Sequence, residues 1–334
     1  MQKLILIGAS AGGVNALTRI TSALPANLPA TVLIVMHIGA RRSLLPEILQ
    51  KCCPLPVRHA EDCDLLQPGQ VLIAPPDRHL TVEKHEGQPR ARLWHSPREN
   101  HTRPAIDPLF RSAAAAFDGD VIAAILTGYL DDGTAGLYAV KACGGHAIVQ
   151  DPSDAQVPDM PASALAYVAV DQVLPLNEIG PMLTALTERL GEPAAGGAIP
   201  DREAAAPTWM NVENRYVRGD AGMEDLQRIG VPSGLTCPEC NGALWKINGA
   251  IPPRFRCHTG HSFSARVLSE LQDQSVENAL WSSLRALQEQ VRLQQEMLQD
   301  ASARQSMESK QRQLDRVQKL QADIETLHTL LAKK

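Results

Sequence analysis

Over the first 190 residues, short continuous apolar runs alternate with longer stretches of helical periodicity. Residues 3–8, 30–36, 71–74, 121–127 and 147–150 are brief, rich in β-branched side chains, and bounded by Gly, Pro, His or Asp. Such runs predict buried strands. Between them, residues 14–24, 43–52, 107–117 and 134–143 predict helices. Alternation of this kind predicts an α/β domain built on a doubly wound, mostly parallel sheet covered on both faces. Residues 80–83 and 91–95, separated by HEGQP, predict an appended antiparallel hairpin.

Beyond residue 190 the pattern changes. The Ala-, Gly- and Pro-rich GEPAAGGAIPDREAAAP and the polar residues after it predict a linker over 191–230. Residues 231–263 form a small Cys/His-bearing module, and residues 264–334 contain neither Gly nor Pro. In that last segment Leu280, Leu284, Leu287, Val291 and Leu298, then Val317, Leu320, Ile324, Leu327 and Leu331, recur every three to four positions. This predicts a helical tail, a hairpin or coiled coil, with a quieter stretch at 299–306 where two helices can fold back.

Composition narrows the function. The 334 residues are 44% hydrophobic and 21% charged, as in a globular protein. A formal net charge of −5 and 4% aromatic residues argue against nucleic-acid binding and against anionic membrane surfaces. No signal peptide or membrane-spanning run is apparent in MQKLILIGAS or the segments after it, so no membrane insertion and a cytoplasmic location are expected. Seven cysteines in a reducing compartment are expected to stay free of disulfides.

The candidate chemistry lies where strands end. GASAGG, residues 8–13, follows the first strand and precedes the first helix; the second strand runs into His37; the 121–127 strand runs into GYLDDG with Asp131 and Asp132. Functional groups of an open parallel sheet gather at this edge. Ser10, His37 and an aspartate there are the nucleophile, base and orienting carboxylate that acyl transfer requires. Backbone N–H groups of Ala11, Gly12 and Gly13, near a helix N-terminus, suit an oxyanion. Taken alone, a Gly-rich turn after a strand is more often a phosphate or dinucleotide site than an esterase site, and Asp-Asp-Gly is a common turn and helix cap.

The ordered series GASAGG, the strand into His37, IAPPDRHL, RPAIDPLFRSAA, ILTGYLDDGTAGL and QDPSDAQVPDMPASAL resembles the chemotaxis protein-glutamate methylesterases, the CheB family, across about residues 1–190. The resemblance implies a Ser–His–Asp triad at Ser10, His37 and Asp132, with Asp132 preferred to Asp131 because it directly precedes Gly133. It implies hydrolysis of γ-methyl esters of receptor glutamates, deamidation of receptor glutamine, and a methylated chemoreceptor as partner. Backbone amides at Gly12 and Tyr129 are the oxyanion-hole candidates; Arg41 and Arg103 are candidates for steering an acidic substrate. Ala11 stands where the family usually has Thr. With the esterase beginning at residue 3, no phosphorylatable receiver is expected ahead of it.

CPEC at 237–240 and CHTGH at 257–261 give C-x2-C-x16-C-x3-H. Two close pairs of thiolate and imidazole donors suit structural zinc, with Cys237, Cys240, Cys257 and His261 as ligands and His258 as the awkward alternative. Zinc is expected as a structural metal and no cofactor for catalysis. Only Lys246, Arg254 and Arg256 are basic in this zinc-ribbon-like module, too few for nucleic acid. The tail balances ten Lys/Arg against ten Asp/Glu, which fits a protein partner, self-association or intramolecular packing. The competing function is a signalling adaptor that retains the esterase fold and acts through these C-terminal modules.

Overall fold

The computed structural model describes residues 3–117, 119–189, 206–300 and 307–333. The chain divides into two compact units, residues 1–268 and 269–334.

The first unit is built on strands β1 (Lys3–Ala9), β2 (Ala30–Met36), β3 (Val57–His59), β4 (Gln70–Ile73), β7 (Val121–Ile125), β8 (His146–Gln150) and β9 (Gln172–Leu174), in the order β3-β4-β2-β1-β7-β8-β9. Every pairing is parallel. The apolar runs are continuous because both faces are covered. Alternate residues of β1 serve different cores: Leu4 and Leu6 pack with Ile106, Leu109 and Phe110 of α3 (Ile106–Phe117), whereas Ile5 and Ile7 pack with Leu17 and Ile20 of α1 (Gly13–Ser22) and Ile179 and Leu183 of α6 (Leu176–Arg189). Each such fully buried Leu or Ile contributes about 1.5–3 kcal/mol. Helices α2 (Leu45–Gln50), α4 (Thr134–Ala142) and α5 (Asp159–Tyr167) complete the layers. The doubly wound expectation is met. Strands β3 and β9 and helices α5 and α6 were not anticipated; two are three-residue edge strands, too short for a periodic signal.

The hairpin is present as β5 (His79–His85) and β6 (Gln88–Trp94). Both strands are longer than predicted, and the loop shrinks to Glu86 and Gly87, each at positive φ, as a type I′ turn requires.

The linker expectation needs correction. Its first part, 191–205, lies outside the described residues. Its second part forms α7 (Thr208–Arg218) and α8 (Met223–Ile229), with Trp209, Met210, Tyr216 and Val217 buried. The sequence hides α7 because its inward face also carries Glu213, fully buried, which interrupts the apolar pattern. Next come β10 (Gly230–Thr236), β11 (Ala243–Ile247), β12 (Arg254–Cys257) and β13 (Ser262–Ser264), a four-stranded antiparallel sheet. This module belongs to the same compact unit as the large sheet.

Buried charge joins them. Arg254 and Arg256, two residues apart and so on one face of β12, meet Glu99, Glu213 of α7 and, for Arg254, Asp107 of α3; Arg111 of α3 forms a bidentate pair with Glu99 at 2.8 Å and 2.8 Å. All six side chains are at most 1% exposed. Burial pushes the Glu99 and Glu213 carboxyls up, but the three arginines overcome it and hold Glu99 well below, and Glu213 below, the ordinary value. Burial pushes Asp107 up to about 6 even though Arg254 pulls it back, with Asp132 adding to the rise. Removing one partner leaves opposing charges buried without compensation. Glu213→Ala is therefore expected to lose about 3–5 kcal/mol of stability, read as a lower urea midpoint. An unchanged midpoint would show that the network does not hold the modules together.

The second unit is helical, as expected. It comprises most of α9 (Ala265–Asp300) and all of α10 (Met307–Leu331). The predicted break falls mainly on 301–306, outside the described residues. Leu284, Val317 and Leu320 are buried, while Val276, Trp281, Leu293, Met297, Leu314 and Leu330 are exposed. Among the described residues no helix is long and apolar enough to cross a membrane.

Candidate active site

Strand β1 lies between β2 and β7, where the strand order reverses, the position at which open α/β sheets place ligands. Three neighbouring strand ends therefore converge there. Ser10 leaves β1 with its N–H donated to the Thr127 carbonyl (3.0 Å); His37 leaves β2 with its N–H donated to the Ala9 carbonyl (3.3 Å). Asp132 ends the loop after β7, just before Gly133, the N-cap of α4.

The side chains form a continuous relay. His37 Nδ1 lies 3.1 Å from Ser10 Oγ, and His37 Nε2 lies 2.8 Å from Asp132 Oδ2. With Asp132 ionised, Nε2 carries the proton and Nδ1 is free to accept from the Ser10 hydroxyl. Asp132 is 3% exposed. Burial pushes its carboxyl up, but the hydrogen bond and charge of His37, the Ile106 N–H and Asn100 hold it below the ordinary carboxylate range. In all, Asp132 accepts from His37, from Ile106 N (2.6 Å), from Asn100 Nδ2 (2.8 Å) and from Asp107 N (3.4 Å). Asp131 faces elsewhere, accepting from Ser264 Oγ at 2.6 Å, and burial pushes its carboxyl up despite that bond.

Beside the relay is an open cleft of about 600 Å³, lined by Ser10, Ala11, Gly12, Asn15, His37 and Gln156 among others. Gly12 caps α1 at φ 80°, and a Cβ there would lie 2.8 Å from the Gln156 amide oxygen. Glycine is thus required by both backbone and space. Thr127 Oγ1 donates to the Ala11 carbonyl (2.8 Å) and accepts from Val157 N (2.9 Å), which ties residues 156–157 to the turn that carries Ser10. Among the described residues, the N–H groups of Ala11, Gly12 and Tyr129 donate to no protein acceptor. Gly12 borders the cleft, and Tyr129, 62% exposed, follows Gly128, which packs directly against Ser10 Cβ.

The two steering candidates differ. Arg41 is exposed. Arg103 is committed internally, bonding Asp77 through two nitrogens at 2.9 and 2.7 Å and the Ser96 carbonyl at 2.6 Å. Its place is to brace the loop before α3, so it is not a free cation for substrate. Sequence reasoning missed Asn100, Thr127 and Gln156. Gln156 lies inside a motif already noted, but nothing in the linear pattern marks Asn100.

A second constellation sits in the antiparallel sheet. Donor atoms of Cys237, Cys240, Cys257 and His261 all lie within 4.8 Å of one another, the one such group of three or more among the described residues. Cys240 and Cys257 sulfurs are 3.7 Å apart, close to the roughly 3.8 Å that tetrahedral zinc–thiolate bonds of about 2.3 Å impose. His258 is outside the group. Three thiolates and one imidazole fit a closed structural zinc site and leave no open position for catalysis.

A serine, an imidazole and a buried carboxylate in series at the edge of a parallel sheet are arranged as the nucleophile, base and orienting carboxylate of serine hydrolases are. The family model described as CheB methylesterase matches residues 5–183, and the chain belongs to that family. It is 39% identical over 185 residues, covering 55% of this chain and 94% of its relative, to a putative protein-glutamate methylesterase/protein-glutamine glutaminase of Leptospira interrogans. A protein-glutamate methylesterase/protein-glutamine glutaminase 2 of Burkholderia lata is 40% identical over 183 residues, 54% of this chain but only 52% of that relative. The crystal structure of the Thermotoga maritima CheB methylesterase catalytic domain superposes with a TM-score of 0.54 at 36% identity, covering 56% of this chain and 99% of that one. These matches leave the Cys/His sheet and the helical tail uncovered.

Proposed function

We propose that the protein hydrolyses γ-methyl esters of glutamate in the cytoplasmic segment of a methylated chemoreceptor, and deamidates receptor glutamine by the same route, with Ser10, His37 and Asp132 as the triad. The unbroken Ser10–His37–Asp132 relay, at 3.1 and 2.8 Å beside an open cleft, carries this reading. Ser10 Oγ attacks the ester carbonyl while its proton passes to His37 Nδ1. The N–H groups of Gly12 and Tyr129 stabilise the oxyanion. His37 then protonates the departing methoxide, and methanol leaves. Water, deprotonated by His37, attacks the acyl-serine; glutamate is released and Ser10 regains its proton. With glutamine the leaving group is ammonia. Asp132 stays ionised throughout, fixing the tautomer and stabilising the imidazolium.

These steps use only the chain's own groups, and zinc at the Cys/His site is structural. A fold kept only as an adaptor gives no reason for a buried carboxylate to orient an imidazole toward a serine at a cleft. The test is methanol release from a methyl-esterified receptor fragment by the full chain; absence of release overturns the reading. Arg41 is the remaining steering candidate for an acidic receptor segment. Arg41→Glu is expected to raise KM by about 3- to 10-fold with kcat unchanged, an effect that fades with added salt. Steady-state kinetics at two ionic strengths check this, and a salt-independent KM would remove Arg41 from substrate steering.

A further inference from the structure

The antiparallel sheet grips residues 98–100, the loop whose Asn100 bonds Asp132. Asn100 N donates to the Ser262 carbonyl (2.7 Å) and Ser262 N to the Arg98 carbonyl (3.3 Å), so residues 98–100 run alongside β13. Ser264 N then donates to Asn100 Oδ1 at 2.9 Å. With that oxygen taken, the Asn100 amide can turn only one way, and its Nδ2 donates to Asp132 Oδ1 (2.8 Å) and Asp107 Oδ2 (3.0 Å). From the other side Glu239, within the CPEC turn, pairs with His101 Nδ1 at 2.6 Å and lies 3.7 Å from Arg98. Asn100 and His101 both sit at positive φ, 51° and 62°, a conformation that non-glycine residues hold only when their surroundings impose it.

We infer that Cys237, Cys240, Cys257 and His261 bind zinc as the fastening of a clamp, and that through this clamp Asn100 acts as a positioning residue for Asp132. The inference rests on the triad reading above. Cys237 and Cys240 lie in the β10–β11 turn, and Cys257 and His261 flank the β12–β13 turn. One metal therefore ties together the two turns that carry Glu239 and lead into Ser262 and Ser264. In so small a sheet, metal binding is folding energy. Without it, Glu239 and β13 lose their mutual registration, the Asn100 amide is released, and Asp132 loses a donor that fixes its orientation. Strand β12 itself stays docked through Arg254 and Arg256, so the effect is local and the large sheet survives. Hydrogen-bonding partners that orient a metal ligand are worth about 10- to 100-fold, and a loss of the same size is expected for a group that orients Asp132.

The experiment uses the full chain, zinc-loaded and chelator-stripped, with three readouts: zinc content by mass spectrometry, circular dichroism for the fold, and the rate at which a fluorophosphonate probe labels Ser10. Stoichiometric zinc, a tetrahedral visible spectrum on Co²⁺ substitution, and labelling that falls about 10- to 100-fold on stripping and returns with Zn²⁺ are expected. Asn100→Ala keeps all four ligands. It should retain zinc, label about tenfold slower, and lose little more on stripping, because both changes break the same link. Absence of zinc, labelling indifferent to stripping, or a full further loss when Asn100→Ala is stripped each overturns the clamp. If stripping unfolds the large sheet, zinc-loaded Asn100→Ala decides: labelling at the wild-type rate overturns it. Labelling needs no methyl ester, so zinc-dependent labelling without methanol release would discard the proposed substrate and leave the clamp standing. No labelling even of the zinc-loaded chain discards the triad and the clamp together.

Discussion

Ser10→Ala is expected to lower kcat for methyl-ester hydrolysis by about 10⁵- to 10⁶-fold, since loss of the nucleophile in a comparable triad removes nearly all catalysis beyond binding and oxyanion stabilisation. The fold should be almost untouched. Ser10 is positioned by its backbone, through the N–H bond to Thr127 and the carbonyl bond from Gly13 N at 2.8 Å, and neither needs the side chain. Methanol release measured beside a thermal melt checks both parts. A variant that melts like wild type yet retains more than about one per cent of the rate would place the nucleophile elsewhere.

Asp132→Asn is expected to cost about 10⁴-fold in kcat through the tautomer of His37. Both carboxylate oxygens of Asp132 are faced by donors: His37 Nε2 and Ile106 N at one, Asn100 Nδ2 and Asp107 N at the other. An asparagine NH₂ group must confront one of these pairs. Placed toward His37, it turns Nε2 into an acceptor and moves the imidazole proton to Nδ1, which then cannot take the proton of Ser10. Placed the other way, it meets Asn100 and the Asp107 N–H and leaves a buried donor mispaired at about 1–3 kcal/mol. The kinetic loss should therefore be accompanied by a lower denaturation midpoint. Asp131→Asn is the control. Asp131 bonds Ser264 and not His37, so its kcat should remain within about tenfold of wild type. A larger loss from Asp131→Asn than from Asp132→Asn would reverse the assignment.

The parts of the site legible in the sequence share one property: each is written in contiguous residues. Ser10 and His37 directly follow apolar strands, Asp132 closes the short loop after a third, and the strand runs are visible as uninterrupted apolar segments. The Cys/His pairs are visible because close ligand pairs across a tight turn must also be close in sequence. Asn100 was not legible. Its role comes from donors and acceptors on Asp132, Asp107 and Ser264, none of them adjacent in the chain. Arg103 looked like a free cation for the same reason, because its acceptor, Asp77, lies 26 residues away. Helix α7 was concealed by Glu213, a polar residue on an inward face, whose burial makes sense only when Arg254 and Arg256 of β12 are opposite it.

Local periodicity and short spacing suffice for the doubly wound class, the helical tail and the residue types that a Ser–His–Asp relay and a thiolate-rich metal site require. That β1 lies between β2 and β7, so that His37 and Asp132, 95 residues apart, meet within hydrogen-bonding distance beside Ser10, is a property of the tertiary fold. The tertiary fold also joins the Cys/His sheet to the first compact unit and links it to Asp132 through Asn100. Strand order and buried ion pairing are long-range choices. They are made by the packing of whole layers and the neutralisation of charges brought together from distant segments, neither of which a window of neighbouring residues contains.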